Sequence, residues 1–460
     1  MACINSTLKE NDVQGSNNMG NSLFHLKQKQ TSVRIEIVAG LTTFLTMAYI
    51  IFAQPNILGP TGMDKNALIG VTCIVSAIAT IITGVFANAP IAMAPGMGLN
   101  AFFTYLVVSG KMDWQTALGA VFLSGLLFLL LTLLGLRKRL VEAIPAGLVS
   151  AISVGIGLFI MFIGLGNLGL VFRDEQTLFR LGDLGPTVLI GLCGLAVMIV
   201  LELFKVAGSL LIGIAFATII AAISGYVGKP EALVSLNWNL GKIVFKLDIV
   251  GAMKWGLFGN IFTLMFIDMF DSIGTLVACC DKAKMRNENN QIKGLDRLLG
   301  IDALATMIGA LMGTSTTTAY IESAAGIEQG GRTGLTSIVT GAFFLLATLF
   351  VPIVRIVPPY ATAPAQIMVG IFMIKEFRKI SFSKVDELIP ALIIMVMIAV
   401  SYRISTGLAL GFIAFTFIKI ISGKLRDVKP VMWVIVILSI LFLTLDRFSC
   451  MIDCLKTLID

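Results

Sequence analysis

The chain has 460 residues, of which 57% are hydrophobic and only 13% are charged. A soluble domain carries about 25% charged residues, so the composition excludes an ordinary soluble protein and indicates an integral membrane protein. The net charge of +7 does not indicate nucleic-acid binding, because Lys and Arg cluster between apolar runs, as they do in cytoplasmic loops. The seven cysteines lack metal-ligand spacing on polar loops. We therefore predict neither a metal site nor a cofactor.

Residues 1–33 are polar and lack the apolar core of a signal peptide, so we predict a cytoplasmic N-terminal tail. A series of apolar segments follows, and many of them are long enough to cross a bilayer. The segments are 36–58, 67–88, 96–109, 113–136, 144–166, 187–204, 207–227, 254–280, 295–313, 319–329, 333–352, 364–377, 386–402, 405–422 and 430–447. The predicted fold class is an all-α membrane protein with about 14 transmembrane segments.

Two of these segments, 96–109 and 319–329, are too short to cross as full helices. Each follows a stretch rich in Gly, Pro or Thr, namely 87–98 and 313–318. Interrupted helices at corresponding positions of two halves indicate a transporter binding site at a repeat interface. The sequence therefore predicts a binding site where these two interruptions meet.

The spacing of polar residues supports two related halves. Asn100 and Glu322 lie just inside the two short segments, and they are as far apart in the chain as Tyr49 and Asp271, which lie in earlier long segments. We predict two inverted repeats of seven segments.

The predicted boundaries are 34–230 for the first repeat and 250–423 for the second. The remaining segment, 424–460, contains the apolar run 430–447, which is either an additional span or a helix on the membrane surface.

Orientation follows from the basic clusters. With the N-terminus inside, seven segments in each half place the clusters at 137–139, 282–297, 375–384 and 424–429 on the cytoplasmic side. The predicted outer loops, 167–186 and 228–253, are less basic. Because no sorting signal is visible, we expect a multi-pass protein of the inner (plasma) membrane.

Few ionisable residues lie inside the apolar segments, and each is a functional candidate because burying a charge there is costly. Asp268 and Asp271 lie three residues apart on one predicted helix, and Glu322 opens the second short helix. We predict function for Asp271 and Glu322, a structural role for Asp302, and either role for Asp268. Since the single histidine, His25, is in the polar tail, proton transfer must use the carboxylates.

The glycine-rich run 95–103 lacks the Lys-Ser/Thr pair of a phosphate loop. Its glycines instead allow close backbone approach. Asn100 offers a donor and an acceptor to a base edge, and Phe102, Phe103 or Phe270 could stack on a ring or simply pack. We also include Thr318 and Ser323, which flank Glu322, among the predicted substrate-binding residues.

Four sequence pieces carry a family resemblance. They are 40–49, 93–102, 270–276 and 313–326. In combination they resemble the nucleobase–cation symporter-2 family, in its adenine/guanine/hypoxanthine permease branch. The resemblance implies a fourteen-span inverted-repeat fold, with a core domain from the first four spans of each half and a gate domain from the last three. It also implies a purine site between the two interrupted spans.

Matching motif to motif, the resemblance assigns the two acidic site residues to Asp271 and Glu322, and the third-span polar residue to Asn100. Thr275 stands where uracil carriers have a histidine, which favours a 6-oxopurine or adenine over uracil.

We therefore predict a secondary active transporter that couples purine uptake to a proton by alternating access. The alternatives are an anion carrier of similar fold and a uracil or xanthine permease. An enzyme is disfavoured, because the chain shows no catalytic set. The preferred purine, coupling to a proton rather than sodium, and a homodimer are left open by the sequence.

Overall fold

The computed structural model describes residues 24–110, 112–135, 144–174, 178–228, 232–235, 238–254, 257–285, 292, 294–382, 384–401, 404–437, 439–440 and 443–444. Within these residues the chain is predominantly helical. The helices of the first half are α1 Val33–Met47, α2 Ile50–Leu58, α3 Lys65–Ile82, α4 Met97–Val108, α5 Trp114–Leu133, α6 Ala146–Leu168, α7 Pro186–Leu203 and α8 Ser209–Ile223.

The second half also contains both long and short helices. Its helices are α9 Ile249–Ala252, α10 Phe258–Lys282, α11 Leu295–Met312, α12 Ser323–Glu328, α13 Gly334–Ala347, α14 Val351–Arg355, α15 Pro359–Ile374, α16 Val385–Ser401 and α17 Ile404–Ile421. The strands are β1 Met93–Pro95, β2 Val171–Asp174, β3 Leu178–Leu181 and β4 Thr317–Ala319.

Seven helical stretches within the described residues are long and apolar enough to cross a membrane. They are Val33–Thr61, Lys65–Ala87, Trp114–Leu133, Ala146–Leu168, Pro186–Leu203, Phe258–Lys282 and Gly334–Arg355. Shorter apolar helices, such as Met97–Val108 and Ser209–Ile223, lie between them. The chain is therefore a multi-pass membrane protein, as its composition predicts.

The two predicted interruptions are extended strands that pair with each other. β1 and β4 run antiparallel, with Met93 opposite Ala319 and Pro95 opposite Thr317. Pro95 lacks an N–H for a helix, and the β-branched run 314–318 favours extended backbone. A short helix follows each strand, so the first and second halves meet at one crossing point inside the protein.

Helix contacts recur in reciprocal pairs. α3 packs on α13 and α11 packs on α5, while α1 packs on α13 and α10 packs on α5. Similarly, α7 packs on α15 and α16 packs on α6, and α6 and α15 pack on each other. These contacts of helices in one half thus have counterparts in the other half.

These contacts divide the helices into two groups. The first group contains α1–α5 and α9–α14, together with β1 and β4, and the second contains α6–α8 and α15–α17. Contacts between the groups run mainly through α4 with α6, α2 with α15, and α1 with α8.

The chain ends include ordered pieces of the predicted tail and C-terminal segment. Leu26 is buried, and the Asn88 side chain donates a hydrogen bond to the Phe24 carbonyl. Residues 430–437 are helical, and Met432 and Ile435 are buried. The rest of the tail, 1–23, and residues 445–460 lie outside the described part of the chain. In the predicted outer loop 167–186, β2 and β3 form a hairpin.

Glycine allows two backbones of the first group to touch. A Cβ atom at Gly334, the first residue of α13, would lie 1.9 Å from the carbonyl oxygen of Gly84. Because the atom that this Cβ would meet is a backbone carbonyl oxygen, the clash cannot be relieved by moving a side chain.

We expect Gly334→Ala to lower the midpoint of thermal unfolding of the purified protein in detergent, since overpacking of this kind costs about 1–3 kcal/mol. The matched control is Gly300→Ala on α11, where a Cβ atom would meet no atom within 4 Å. Equal midpoints for the two variants would contradict the backbone contact.

Candidate functional site

A cavity of about 200 Å³ lies between the two helix groups, beside the strand crossing. The first group supplies the ends of β1 and β4, the start of α4 and one face of α10. The second group supplies one face each of α6 and α15. The lining residues are Tyr49, Gly96, Met97, Gly98, Val149, Ser153, Asp271, Gly274, Thr275, Ala278, Thr318, Ala319, Tyr320, Ile321, Glu322, Val369, Phe372, Met373, Glu376 and Lys379.

Two carboxylates face this cavity from the first group. Asp271 lies on α10, and Glu322 lies between β4 and α12. Neither forms an ion pair within the described part of the chain. A third acid, Glu376, lies on the opposite wall, and its Oε2 atom pairs with Lys379 Nζ at 2.8 Å. The two facing acids of the first group thus remain available to a ligand or a proton.

Hydroxyl groups surround the two acids. Tyr49 Oη donates a hydrogen bond to Glu322 Oε1 at 2.9 Å. Thr318 Oγ1 and Ser272 Oγ are hydrogen-bonded at 2.7 Å. Tyr320 Oη donates to the carbonyl oxygen of Pro95 at 2.5 Å, which joins the two strands at the cavity wall.

The structure brings together some of the residues that the sequence predicts for the site. Asp271, Glu322 and Thr318 share the cavity wall. Asn100 and Phe102 are buried and do not line it.

Asn100 Oδ1 accepts a hydrogen bond from Ser315 Oγ, so this side chain joins α4 to the segment before β4. Ser323 also lies outside the cavity wall, and its hydroxyl accepts the Ala92 N–H at 3.0 Å. Both contacts hold one half of the chain against the other at the crossing.

The other aromatic and acidic candidates also lie apart from the cavity wall. Phe103 is buried, and the Phe270 side chain is outside the described part of the structure. Asp268 is 1% exposed and does not line the cavity. Its Oδ2 atom accepts a hydrogen bond from Thr306 Oγ1 at 2.9 Å.

Tyr49 lines the cavity, and sequence reasoning named it without assigning it to the site. The signal was the predicted repeat, which places Tyr49 in the first half where Asp271 stands in the second. Ser153 and Phe372 come from the second group, and nothing in their local sequence distinguishes them from packing residues.

Each crossing strand is held by a threonine from the preceding helix. Thr80 on α3 accepts the Met93 N–H at 2.9 Å and donates to the Met93 carbonyl at 3.0 Å. Thr306 on α11 accepts the Thr317 N–H at 3.2 Å. Its single proton has two acceptors, the Thr317 carbonyl at 3.0 Å and the carboxylate of Asp268.

Comparison with known proteins identifies the chain. A family model described as "Permease family" matches residues 34–410. The chain belongs to the nucleobase–cation symporter-2 family.

Several permeases of this family are similar over most of their length. The chain is 43% identical to a putative permease of Methanocaldococcus jannaschii, over 91% of this chain and 96% of that protein. It is 39% identical to the adenine permease AdeP of Escherichia coli, with 91% and 94% covered. It is also 39% identical to the guanine/hypoxanthine permease PbuO of Bacillus subtilis, with 91% and 98% covered. The chain is a permease and not an enzyme.

Solved structures share the fold of this permease at low sequence identity. The transmembrane domain of the cyanobacterial bicarbonate transporter BicA has a TM-score of 0.60 at 16% identity, with 82% of this chain and 97% of that domain covered. SLC26A9 has a TM-score of 0.59 at 9% identity, with 89% and 71% covered. The permease therefore has the fold of these membrane transporters.

We expect Thr80→Val and Thr306→Val each to lower the thermal midpoint of the purified permease. Each change leaves a buried strand N–H unpaired, which costs about 1–3 kcal/mol. Thr306→Val is expected to lower it further, because Asp268 also loses a donor.

The control is Thr132→Val on α5, whose hydroxyl bonds, among the described residues, just the Phe128 carbonyl of its own helix. Threonine anchoring of the strands would be refuted if all three variants unfolded at the same temperature.

Proposed function

We propose that this permease is a secondary active transporter that carries a purine nucleobase together with a proton. The main observation behind this proposal is that Asp271 and Glu322 line the same cavity beside the strand crossing. Neither acid has an ion-pair partner among the described residues. The purine assignment is supported by relatives named as adenine permeases and as guanine/hypoxanthine permeases.

The cavity offers complementary groups to a flat heterocycle. Glu322 and Asp271 are acceptors for ring N–H donors, and the Thr318 and Ser153 hydroxyls can donate to ring nitrogens or a carbonyl oxygen. Phe372 provides a ring on the opposite wall, where stacking on a base is favourable. In this proposal, Asn100, Phe102 and Ser323 support the site by holding the strand crossing rather than by touching the base.

Proton coupling uses the same carboxylates. The single histidine, His25, is in the predicted tail, far in sequence from the cavity residues. Asp271 and Glu322 therefore remain as cavity groups that can gain and lose a proton. Asp268, bonded through Thr306 to β4, is the third candidate, because its hydrogen bond reaches the strand that carries Thr318.

Alternating access fits the division into two helix groups. The cavity lies between the groups, and the reciprocal helix contacts support fourteen spans arranged as two inverted repeats. In our proposal the first group is the core, the second is the gate, and the cavity opens toward Glu376 and Lys379. This is the predicted cytoplasmic side, in an inner membrane with the N-terminus inside.

An anion carrier has the weaker case. The likeness to a bicarbonate transporter extends to the fold alone, and two carboxylates facing the cavity would repel an anion. A uracil or xanthine permease is disfavoured by Thr275, which lines the cavity where uracil carriers have a histidine.

We expect radiolabelled hypoxanthine, guanine or adenine to accumulate in purine-uptake-deficient cells that express the permease, and a protonophore to abolish this accumulation. Glu322→Gln and Asp271→Asn, at matched membrane levels, are expected to lose at least about 90% of uptake, because each removes a charged acceptor worth about 1.5–3 kcal/mol.

Glu328→Gln is the matched control, because Glu328 is the last residue of α12, the short helix that Glu322 precedes, but it is exposed and pairs with Lys282. If the wild type accumulates none of the three bases, the purine proposal is wrong. If it accumulates them and both cavity variants do too, the proposed site is wrong.

A further inference from the structure

Tyr49 sets the orientation of Glu322 in this structure. Its ring is 1% exposed at the break between α1 and α2, and its hydroxyl reaches across to the second half of the chain. A tyrosine hydroxyl has one proton to donate. Here the Tyr49 hydroxyl donates that proton to Glu322 Oε1. When Glu322 is ionised this is a charge-assisted hydrogen bond, which is stronger than a neutral one.

The two oxygens of Glu322 are therefore not equivalent. Oε1 is held by Tyr49, whereas Oε2 accepts no side-chain hydrogen bond from the described residues. Thr46 lies one turn before Tyr49, and its hydroxyl reaches the backbone carbonyl of Glu322 at 3.5 Å rather than the carboxylate. Within the described part of the chain, Tyr49 is thus the side chain that fixes the carboxylate.

We propose that Tyr49 is a positioning residue that presents a single oxygen of Glu322 to the transported base, and thereby limits discrimination among purines. This inference rests on the proposed function. It concerns how the carboxylate is shared between protein and substrate, and it does not require Tyr49 to touch the base.

Guanine and hypoxanthine differ in the number of N–H donors that they can direct at the two oxygens of Glu322. Guanine carries two neighbouring N–H donors, on N1 and on its 2-amino group, and this pair matches both oxygens of a carboxylate. Hypoxanthine has the N1 donor but no 2-amino group. Because Tyr49 uses one lone-pair site of Oε1 and fixes the direction of the carboxylate, the 2-amino group has to compete with the tyrosine hydroxyl for that oxygen. The wild type should therefore gain less from the second donor of guanine than a freely turning carboxylate would.

The central experiment measures uptake kinetics of hypoxanthine and guanine for the wild type and Tyr49→Phe. We expect the KM for hypoxanthine to rise about tenfold, because a charge-assisted hydrogen bond that orders the carboxylate is lost. Guanine should lose less, since it can recruit the released Oε1. The ratio of guanine to hypoxanthine Vmax/KM should therefore increase severalfold, a change that a general packing defect would not produce.

The matched control is Tyr226→Phe, which removes the same hydroxyl from a tyrosine that is 50% exposed and outside the cavity wall. Its kinetics should equal those of the wild type. Thermal midpoints and size-exclusion profiles of the purified variants establish that each one is folded, and equilibrium binding to the folded protein checks the uptake values.

A double variant gives a second test, in which Tyr49→Phe should increase binding rather than decrease it. In Glu322→Gln, Tyr49 should hold the new amide by its carbonyl oxygen, so that the NH₂ group faces the cavity and N–H donors of the base are rejected. Adding Tyr49→Phe lets the amide turn and present its carbonyl oxygen. Hypoxanthine binding to the purified double variant should then exceed binding to Glu322→Gln alone.

The outcomes separate the two levels of inference. Absence of purine transport by the wild type refutes the proposed function itself. If the wild type transports purines, but Tyr49→Phe changes neither the hypoxanthine KM nor the guanine preference and the double variant shows no recovery, the role of Tyr49 is refuted and the proposed function stands.

Discussion

The antiparallel pairing of β1 and β4 is the contact on which the rest of the molecule depends. Interrupting a helix inside a membrane protein exposes backbone N–H and C=O groups, and no lipid can bond them. Here the two interrupted segments hydrogen-bond to each other as β1 and β4, with Met93 opposite Ala319. The pairing continues beyond the strands, where the Tyr320 N–H bonds the Ala92 carbonyl. Neither broken helix would be stable without the other, which makes the two halves interdependent.

The same crossing explains why the cavity lies where it does. Two short helices that start at a common point leave open the space that full spans would have filled. One side of that space is walled by the end of β4 and the first turn of α4, where the backbone changes direction, and the rest is walled by faces of the long helices α6, α10 and α15. A carboxylate at Glu322 is tolerated there because a hydroxyl, Tyr49, offsets part of the cost of removing its charge from water.

The two crossing strands are anchored alike but differ in the charge beside the anchor. Thr80 and Thr306 each bond the backbone of their strand, and among the described residues Thr306 also bonds a carboxylate, Asp268. Tyr49 and Asp271, which the predicted repeat would place at matching positions, are a neutral donor and an acid. The two acids that face the cavity from the first group, Asp271 and Glu322, thus both come from the second half of the chain.

Much of this could be predicted from the sequence. Apolar runs predicted the spans, and the Pro- and Thr-rich stretches predicted both interruptions, because those residues act on their own backbone. The rarity of ionisable residues in apolar segments singled out Asp271 and Glu322 by cost alone. These inferences need no knowledge of how distant segments meet.

Side-chain direction could not be predicted in the same way. Asn100 looked like a base-binding amide, but its oxygen accepts from Ser315, a residue whose proximity follows only from the strand register. The Tyr49–Glu322 bond joins segments on opposite sides of the crossing, and Ser153 and Phe372 reach the cavity only because the second helix group packs beside it. Each of these depends on long-range geometry that a local pattern does not contain.

The cavity shows how one fold can serve substrates of opposite character. The bicarbonate transporter BicA shares this architecture at 16% identity, so the fold by itself does not specify the charge of the cargo. What the cavity favours is decided by the groups that face it. In this permease those groups include several hydroxyls and two carboxylates that have no ion-pair partner among the described residues, which together suit a neutral heterocycle rich in N–H donors. Under the proposed function, the need to neutralise a carboxylate before the gate closes over it gives a reason for a proton to travel with such a substrate.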